Sequence, residues 1–307
     1  METPERLQQQ IKSMEGLHNI VATMKALSAS NIHQYEQSIE SLTDYWHTVE
    51  LGLRVVMRDE INPIHRSSSP SGAMAAVVFG SDHGMCGRFN EDITEYMLAH
   101  FKSVSTDVKP KILCLGLRAG DLLERAEQPA DEVLTLPGGA NQISSAIQQI
   151  LIRIEEWREN QGIKNLFLYH NRPKNRALYH PTRFHLLPLQ LDKFSKFDIK
   201  EWPGTSLPTY TMDRDKLLSS LLNQYFFISL FRACAESQSA EHGSRLTAMQ
   251  AAEKNLDEHI EELGGEYRRA RQDIITNELL DIIASFEAMS DNKKEKKKEK
   301  KKEKKKQ

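Results

Sequence analysis

Two runs of apolar residues spaced by threes and fours occupy the two ends of this 307-residue chain, and neither fits an ordinary globular core. The first passes through Leu7, Ile11 and Met14, is interrupted at His18, and resumes at Val21 and Met24. It then continues through Ile32, Tyr35 and Ile39 to Leu53 and Val56. That is a heptad-like stripe. A helix from Pro4 to Met57 would be roughly 80 Å long at 1.5 Å per residue, whereas globular helices average three or four turns. The Pro- and Gly-containing segment INPIHRSSSPSG (61–72) ends the pattern.

The second stripe starts after Asp213 and includes Leu217, Leu221, Tyr225 and Ile228, then Leu256, Ile260, Leu263, Tyr267 and Ile274. Unbroken to Met289, it would measure about 115 Å. Its middle, Ala235 to Ser244, is nearly free of large apolar side chains and reads as a polar face. The pair Gly264–Gly265, at about 1 kcal/mol per glycine relative to Ala, predicts a kink or local unwinding there. A lone stripe of this kind exposes its apolar strip. The two helices are therefore expected to pair, antiparallel, because the chain leaves along one and returns along the other.

Between them the period changes. AMAAVVF (73–79), KILCLG (111–116), NLFLYH (165–170) and RFHLLPL (183–189) read as strands, and 92–104 and 142–160 as amphipathic helices. Alternation of this kind predicts a mostly parallel sheet. The fold class is thus α/β plus long helices: an antiparallel coiled coil of the N- and C-terminal helices with an inserted α/β domain. The expected domains are a shaft of 1–60 with 211–290, an α/β foot of 73–205, and a Lys-rich tail of 291–307 without structure.

Charge separates the tail from the rest. Residues 293–306 hold 11 Lys and 3 Glu, a local +8, which leaves −10 for the remainder of a chain whose total is −2. An acidic body argues against nucleic acid as a partner. The three cysteines, Cys86, Cys114 and Cys234, are scattered and lack CxxC spacing, so neither a disulfide framework nor a zinc site is expected. No HxH or HExxH pair occurs among the histidines, and no metal or cofactor is expected. The most apolar run, Ala73 to Phe79, falls far below the ~18 residues that a membrane span needs.

One segment invites a catalytic reading. GSDHGMCGRFN (80–90) follows a strand and precedes a helix, where a phosphate-binding loop would lie. Its glycines at 80, 84 and 87 match neither GxxxxGK[ST] nor GxGxxG, so a tight strand-to-helix connection is the stronger reading. Cys86 lacks an assignable base, and a structural thiol is expected.

Three separated motifs resemble one family. ESQSAEHGSRLTAMQAAEKN (236–255) followed by EYRRARQDIITNELLDIIASFEA (266–288) resembles the C-terminal helix of the γ subunit of F-type ATP synthases. IKSMEGLHNIVATMKALSAS (11–30) is similar to that family's first helix, GSDHGMCGRFN to its SDRGLCG.LN, and YTMDRDKLLSSLLNQY (210–225) to the segment leading into its last helix. The resemblance covers about residues 4–289 and leaves the tail outside. It implies a non-catalytic rotary shaft that couples c-ring rotation, driven by proton or sodium flow, to ATP synthesis or hydrolysis in the β subunits.

The implied partners are the α and β subunits of the catalytic hexamer, the ε subunit and the c-subunit ring. The implied place is peripheral, on the cytoplasmic face of a bacterial inner membrane, attached through the c ring, with the tail suited to anionic lipid. The positions that match the family's subunit-contact residues are Met24, Arg245, Arg271, Gln272, Thr276 and Glu278. Tyr210 and Asp213 match the region of the foot near the c ring. Where the family has ITKAM and ASKMRK, this chain has Ile20-Val21-Ala22-Thr23-Met24 and Ala29-Ser30-Asn31-Ile32-His33-Gln34, so several basic residues are missing. That departure points to a divergent bacterial form. The competing readings are a coiled-coil scaffold derived from the family and a nucleotide-binding enzyme built on the α/β insert.

Overall fold

The computed structural model describes residues 3–57, 73–104, 109–174, 178–189 and 208–303, with side chains defined as far as residue 286. The segment 61–72 and the stretch 190–205 of the expected foot lie outside the described residues. Helix α1 spans Pro4–Met57 and the last helix, α5, Arg214–Glu303. Between them come β1 (Ala73–Phe79), α2 (Phe89–Ser103), β2 (Lys111–Leu115), α3 (Leu117–Arg125), β3 (Glu132–Leu134), α4 (Ile143–Gln161), β4 (Ile163–Pro173) and β5 (Tyr179–Leu187).

The strands form one sheet in the order β3-β2-β1-β4-β5, parallel except for β5, which pairs antiparallel with β4. Both faces are covered, which is why β1 is a continuous apolar run rather than an alternating one. Side chains still alternate across the pleat. Ala75, Val77 and Phe79 of β1, with Leu113 and Leu115 of β2, join a core built with α1, α4 and α5. Ala76 and Val78, with Ile112 and Cys114, face the opposite core under α2 and α3.

The chain divides into two compact units, Met1–Thr23 with Ala251–Gln307, and Met24–Gln250. This division cuts through both long helices, whereas the sequence pattern puts its boundaries at the ends of the α/β insert. The reason is packing: Tyr35, Val49 and Leu53 of α1 and Tyr225, Ile228 and Phe231 of α5 share one core with the sheet.

Each unit contains an antiparallel helix pair. In Met24–Gln250, Tyr45 Oη donates to Gln224 Oε1 at 2.5 Å, Trp46 packs on Tyr225 with ring centroids 5.1 Å apart, and Arg214 Nε donates to Val56 O at 3.2 Å. Gly52 lets the helices approach, since a Cβ there would lie 3.0 Å from Leu221 Cδ2. In the other unit, His18 fills the gap in the first stripe by meeting Asp257, Nε2 to Oδ1, at 3.2 Å.

Two expectations differ from the structure. Gly264–Gly265 causes no unwinding, because α5 stays helical through both. Nor does the helix stop at 291: α5 continues to Glu303 instead of giving way to an unstructured tail. Lys and Glu are both strong helix formers, and extending a helix already nucleated upstream avoids the unfavourable first turn.

Candidate functional site

The segment 80–90 is held by its own side chains. Ser81 N donates to Asn90 Oδ1 at 2.8 Å, and Asn90 Nδ2 returns a bond to Ser81 Oγ at 2.8 Å. The Asp82 carboxylate accepts from Leu117 N (3.0 Å) and Leu136 N (2.9 Å), tying together the turns that follow β1, β2 and β3. Gly80 and Gly116 sit where two of these turns cross. A Cβ on Gly80 would lie 2.3 Å from Ala119 Cβ, and one on Gly116, at φ +115°, 2.6 Å from Ser81 N. Gly87, at φ +60°, lies beneath Ser244 of α5. The glycines thus serve close backbone approach.

Against this segment lies the polar middle of α5, and it is buried. Glu236, Ser237, Gln238, Ser239, Glu241 and Arg245 are all at most 6% exposed. Their donors reach backbone carbonyls at the carboxyl ends of the strands and in the turns beyond. Ser237 Oγ bonds Phe79 O (3.2 Å), Gln238 Nε2 bonds Pro137 O (3.4 Å), and Ser244 Oγ bonds Cys86 O (2.6 Å). Arg245 Nη2 reaches His83 O (3.2 Å) and Gly84 O (3.4 Å). The stretch read as a polar face is therefore an internal joint between α5 and the α/β domain.

Two buried charge clusters flank the joint. Glu236 meets His170 Nε2 at 2.9 Å and Arg232 Nε at 2.8 Å. Burial pushes its carboxyl up, but the bonds from His170 and Arg232 outweigh this and hold it at about 2. One helical turn beyond Ser237, Glu241 Oε1 accepts from Arg245 Nη2 at 2.6 Å. Here burial dominates over Arg245 and lifts the Glu241 carboxyl to about 7, with Asp82 adding in the same direction. Glu241 Oε2 and Arg245 Nε are buried without hydrogen-bond partners.

His242 stacks on Tyr35 of α1, ring centroids 5.7 Å apart. Burial, and then Arg245, lower it to about 4, so it is neutral at pH 7. Its Nδ1 faces Arg245 Nη1 and its Nε2 the Asn31 amide, each at 3.4 Å. The three cysteines are buried, free and shifted upward by that burial, Cys114 and Cys234 to about 12, which suppresses the nucleophilic thiolate.

The contact positions expected from sequence fall into two groups. Arg245 faces inward, as just described, and Met24 is half-buried on α1. Arg271, Gln272, Thr276 and Glu278 are exposed on α5, where Thr276 Oγ1 donates to Gln272 O at 2.9 Å. From Arg271 to Phe286 every residue is exposed, including Ile274, Ile275, Leu279, Leu280, Ile283 and Phe286. Tyr210 is exposed before α5, and Asp213 caps that helix by accepting from Lys216 N at 3.2 Å. Glu241, Ser237 and Ser244 carry the joint but were not singled out by sequence reasoning. Their signal is a charged pair at i, i+4 (Glu241, Arg245) inside a run that otherwise offers mainly Ser, Ala and Gln.

Among the described residues, no group of three or more His, Cys, Asp or Glu could hold a metal ion, and no helix is long and apolar enough to cross a membrane.

Comparison with known proteins gives a consistent result. A family model described as ATP synthase matches residues 3–289. The chain is 26% identical over 296 residues to the ATP synthase gamma chain of Pelagibacter ubique, covering 94% of this chain and 100% of that one. It is 27% identical over 297 residues to the gamma chain of Rickettsia bellii, again covering 94% and 100%. Among solved structures, it resembles a chain of the Euglena gracilis mitochondrial ATP synthase, OSCP/F1/c-ring, with TM-score 0.63 and 17% identity, covering 94% and 95%. A chain from the central stalk and c ring of the Tetrahymena thermophila mitochondrial enzyme gives TM-score 0.55 and 19% identity, covering 76% and 99%. With long terminal helices, a mostly parallel sheet between them in the chain, and that family model matched from residue 3 to residue 289, the chain belongs to the ATP synthase family, as a relative of its γ chains.

Proposed function

We propose that this chain is the non-catalytic rotary shaft of an F-type ATP synthase, turned by a ring of c subunits and acting on the β subunits of a surrounding α/β hexamer. The observation that carries this reading is the family match over nearly the whole chain, on a fold whose two terminal helices pair antiparallel. A shaft biases each β subunit only through differential contacts with its open and closed states. It needs an outer surface that partners can read, and no active site of its own.

The end of α5 supports the reading. Helix α1 starts at Pro4, so it is spent before α5 ends, and every residue of α5 from Arg271 to Phe286 is exposed. Exposed apolar side chains in that number mark a surface that partners cover. Arg271, Gln272, Thr276 and Glu278 lie in the same stretch and are proposed to meet α and β, with Met24 contributing from α1. Arg245 is assigned to the internal joint instead. Tyr210 and Asp213 are proposed to lie near the c ring, where ε also binds. The complex is then peripheral on the cytoplasmic face of a bacterial inner membrane.

Co-expression with the cognate α and β subunits tests the proposal. The expected product is a complex with one copy of this chain per hexamer; recovery of hexamer without it, or of free chain alone, would overturn the reading.

A further inference from the structure

The joint between α5 and the 80–88 turn contains an ionisable group in an unusual position. Glu241 and Arg245 side chains are 5% and 7% exposed and meet at 2.6 Å. Only one carboxyl oxygen of Glu241 is bonded; Oε2 is buried without a donor. Charge placed on that buried oxygen therefore has no protein N–H to stabilise it. Arg245 depends less on the carboxylate, because Nη2 also holds two backbone carbonyls of the turn, His83 O and Gly84 O.

The titratable and charged groups around Glu241 come from three elements. Cys234, His242 and Arg245 lie on α5, Tyr35 on α1, and Asp82 and Cys86 in the turn after β1. Asp82 pushes the Glu241 carboxyl further up, and burial keeps His242 neutral and Tyr35 protonated. Arg245 is thus the one cation of the group, and it is shared with the turn.

We propose that Glu241 is a proton-sensitive pin: with its carboxyl neutral, the 80–88 turn seats fully on α5, and ionisation loosens that seat. The sign follows from linkage. A carboxyl at about 7 when seated, and at an ordinary value near 4.5 when the turn lifts and water enters, binds its proton more tightly in the seated state. Acid therefore favours seating; the stabilisation is fully present below about pH 4.5 and is lost progressively as pH rises to about 7. The neutral carboxyl still offers Arg245 an acceptor oxygen, so the guanidinium keeps its contacts with His83 and Gly84. On the reading of the chain as a shaft, this joint is where torque on the α/β domain enters α5; the pin itself is a property of the free chain.

Hydrogen exchange of the purified full chain tests it. After correction for the intrinsic pH dependence of exchange, the opening equilibrium of amides in 81–90 should rise by up to about tenfold per pH unit between about pH 4.5 and 7 and level off above pH 7. Glu241→Gln, which keeps the acceptor and removes the charge, should make that equilibrium flat, with amides of β4 unchanged in both proteins. In the wild type, the Glu241 carboxyl carbon should titrate near pH 7 by NMR, a reading that needs no variant to fold. A wild-type opening equilibrium independent of pH, a slope retained in Glu241→Gln, or a carboxyl midpoint near 4.5 would each overturn the pin. Because no other subunit is present, these outcomes are independent of whether the chain assembles with α and β.

Discussion

Gly116→Ala should destabilise the Met24–Gln250 unit by about 2–6 kcal/mol. Gly116 stands at φ +115°, where an L side chain strains the backbone by about 1–3 kcal/mol. An added Cβ would also lie 2.6 Å from Ser81 N, 2.8 Å from Gly80 C and 2.9 Å from Ser81 O. All three atoms are backbone, so relief requires the two strand-to-helix turns to separate, at a further ~1–3 kcal/mol for overpacking. Gly162→Ala provides a graded control: its φ is +63° but nothing lies within 4 Å of the new Cβ, so only about 1–2 kcal/mol is expected. Gly139→Ala, with extended backbone and open space, should change stability by less than about 0.5 kcal/mol. Urea unfolding followed by tryptophan fluorescence measures the series, since Trp157 lies in the same core as β1 and β2. A Gly116→Ala midpoint equal to that of Gly139→Ala would refute the reasoning, and would leave the glycines free for another use, such as admitting a phosphate.

Other perturbations follow from the buried charges and the exposed helix end. Glu236 is held at about 2 in the folded chain against 4.5 for a free carboxyl, so its contribution is present above pH 4.5 and is lost as pH falls through 2. Acid titration of urea stability should show a fall of about 3 kcal/mol over that window in the wild type and not in Glu236→Gln. Arg245→Ala strands Glu241 and should cost about 3–5 kcal/mol at pH 8. The cost should be smaller at pH 6, where Glu241 is protonated, and equal losses at the two pH values would contradict the assignment. Leu279→Glu with Ile283→Glu should leave the stability of the isolated chain within about 0.5 kcal/mol yet reduce its recovery with α and β; unchanged recovery would remove that stretch from the proposed interface. Arg271→Ala with Gln272→Ala should lower coupled ATP turnover more than assembly, and unchanged turnover would exclude both as contacts.

The helical stripes are legible in the sequence because α1 buries one face over many turns: Leu7, Ile32, Tyr35, Val49, Leu53 and Val56 are all at most 4% exposed. Strand β1 is legible for a related reason, since burial on both sides forces an unbroken apolar run. Helix α3 (Leu117–Arg125) and strand β3 (Glu132–Leu134) are too short to establish any period, and neither was anticipated. The polar middle of α5 misleads more deeply. A run of Ser, Gln, Glu and Arg describes its own chemistry but not its partners, and those partners are carbonyls about 100–160 residues away in sequence. The same gap separates the two readings of Arg245: helical spacing gives its face, whereas only the turn after β1 determines that this face is inward.

The position of that polar run explains why a nucleotide-like topology here carries a mechanical part. In open parallel sheets, ligands lodge beyond the carboxyl ends of the strands, at the point where strand order reverses. In the order β3-β2-β1-β4-β5 that point lies between β1 and β4, and the last residue of β1, Phe79, gives its carbonyl to Ser237 of α5. A phosphate at such a point needs converging N–H donors. Here the Leu117 and Leu136 N–H groups are consumed by Asp82, and the groups turned toward α5 are the carbonyls of Phe79, His83, Gly84, Cys86 and Pro137. An anion there would meet the oxygen ends of these five carbonyls. A helix bearing Ser, Gln and Arg donors complements them. The chain's own α5 thus occupies the place of a ligand, converting a recognition crevice into an internal joint. Removing the donors should loosen the joint and not create a nucleotide site, because the acceptors exposed would still repel phosphate.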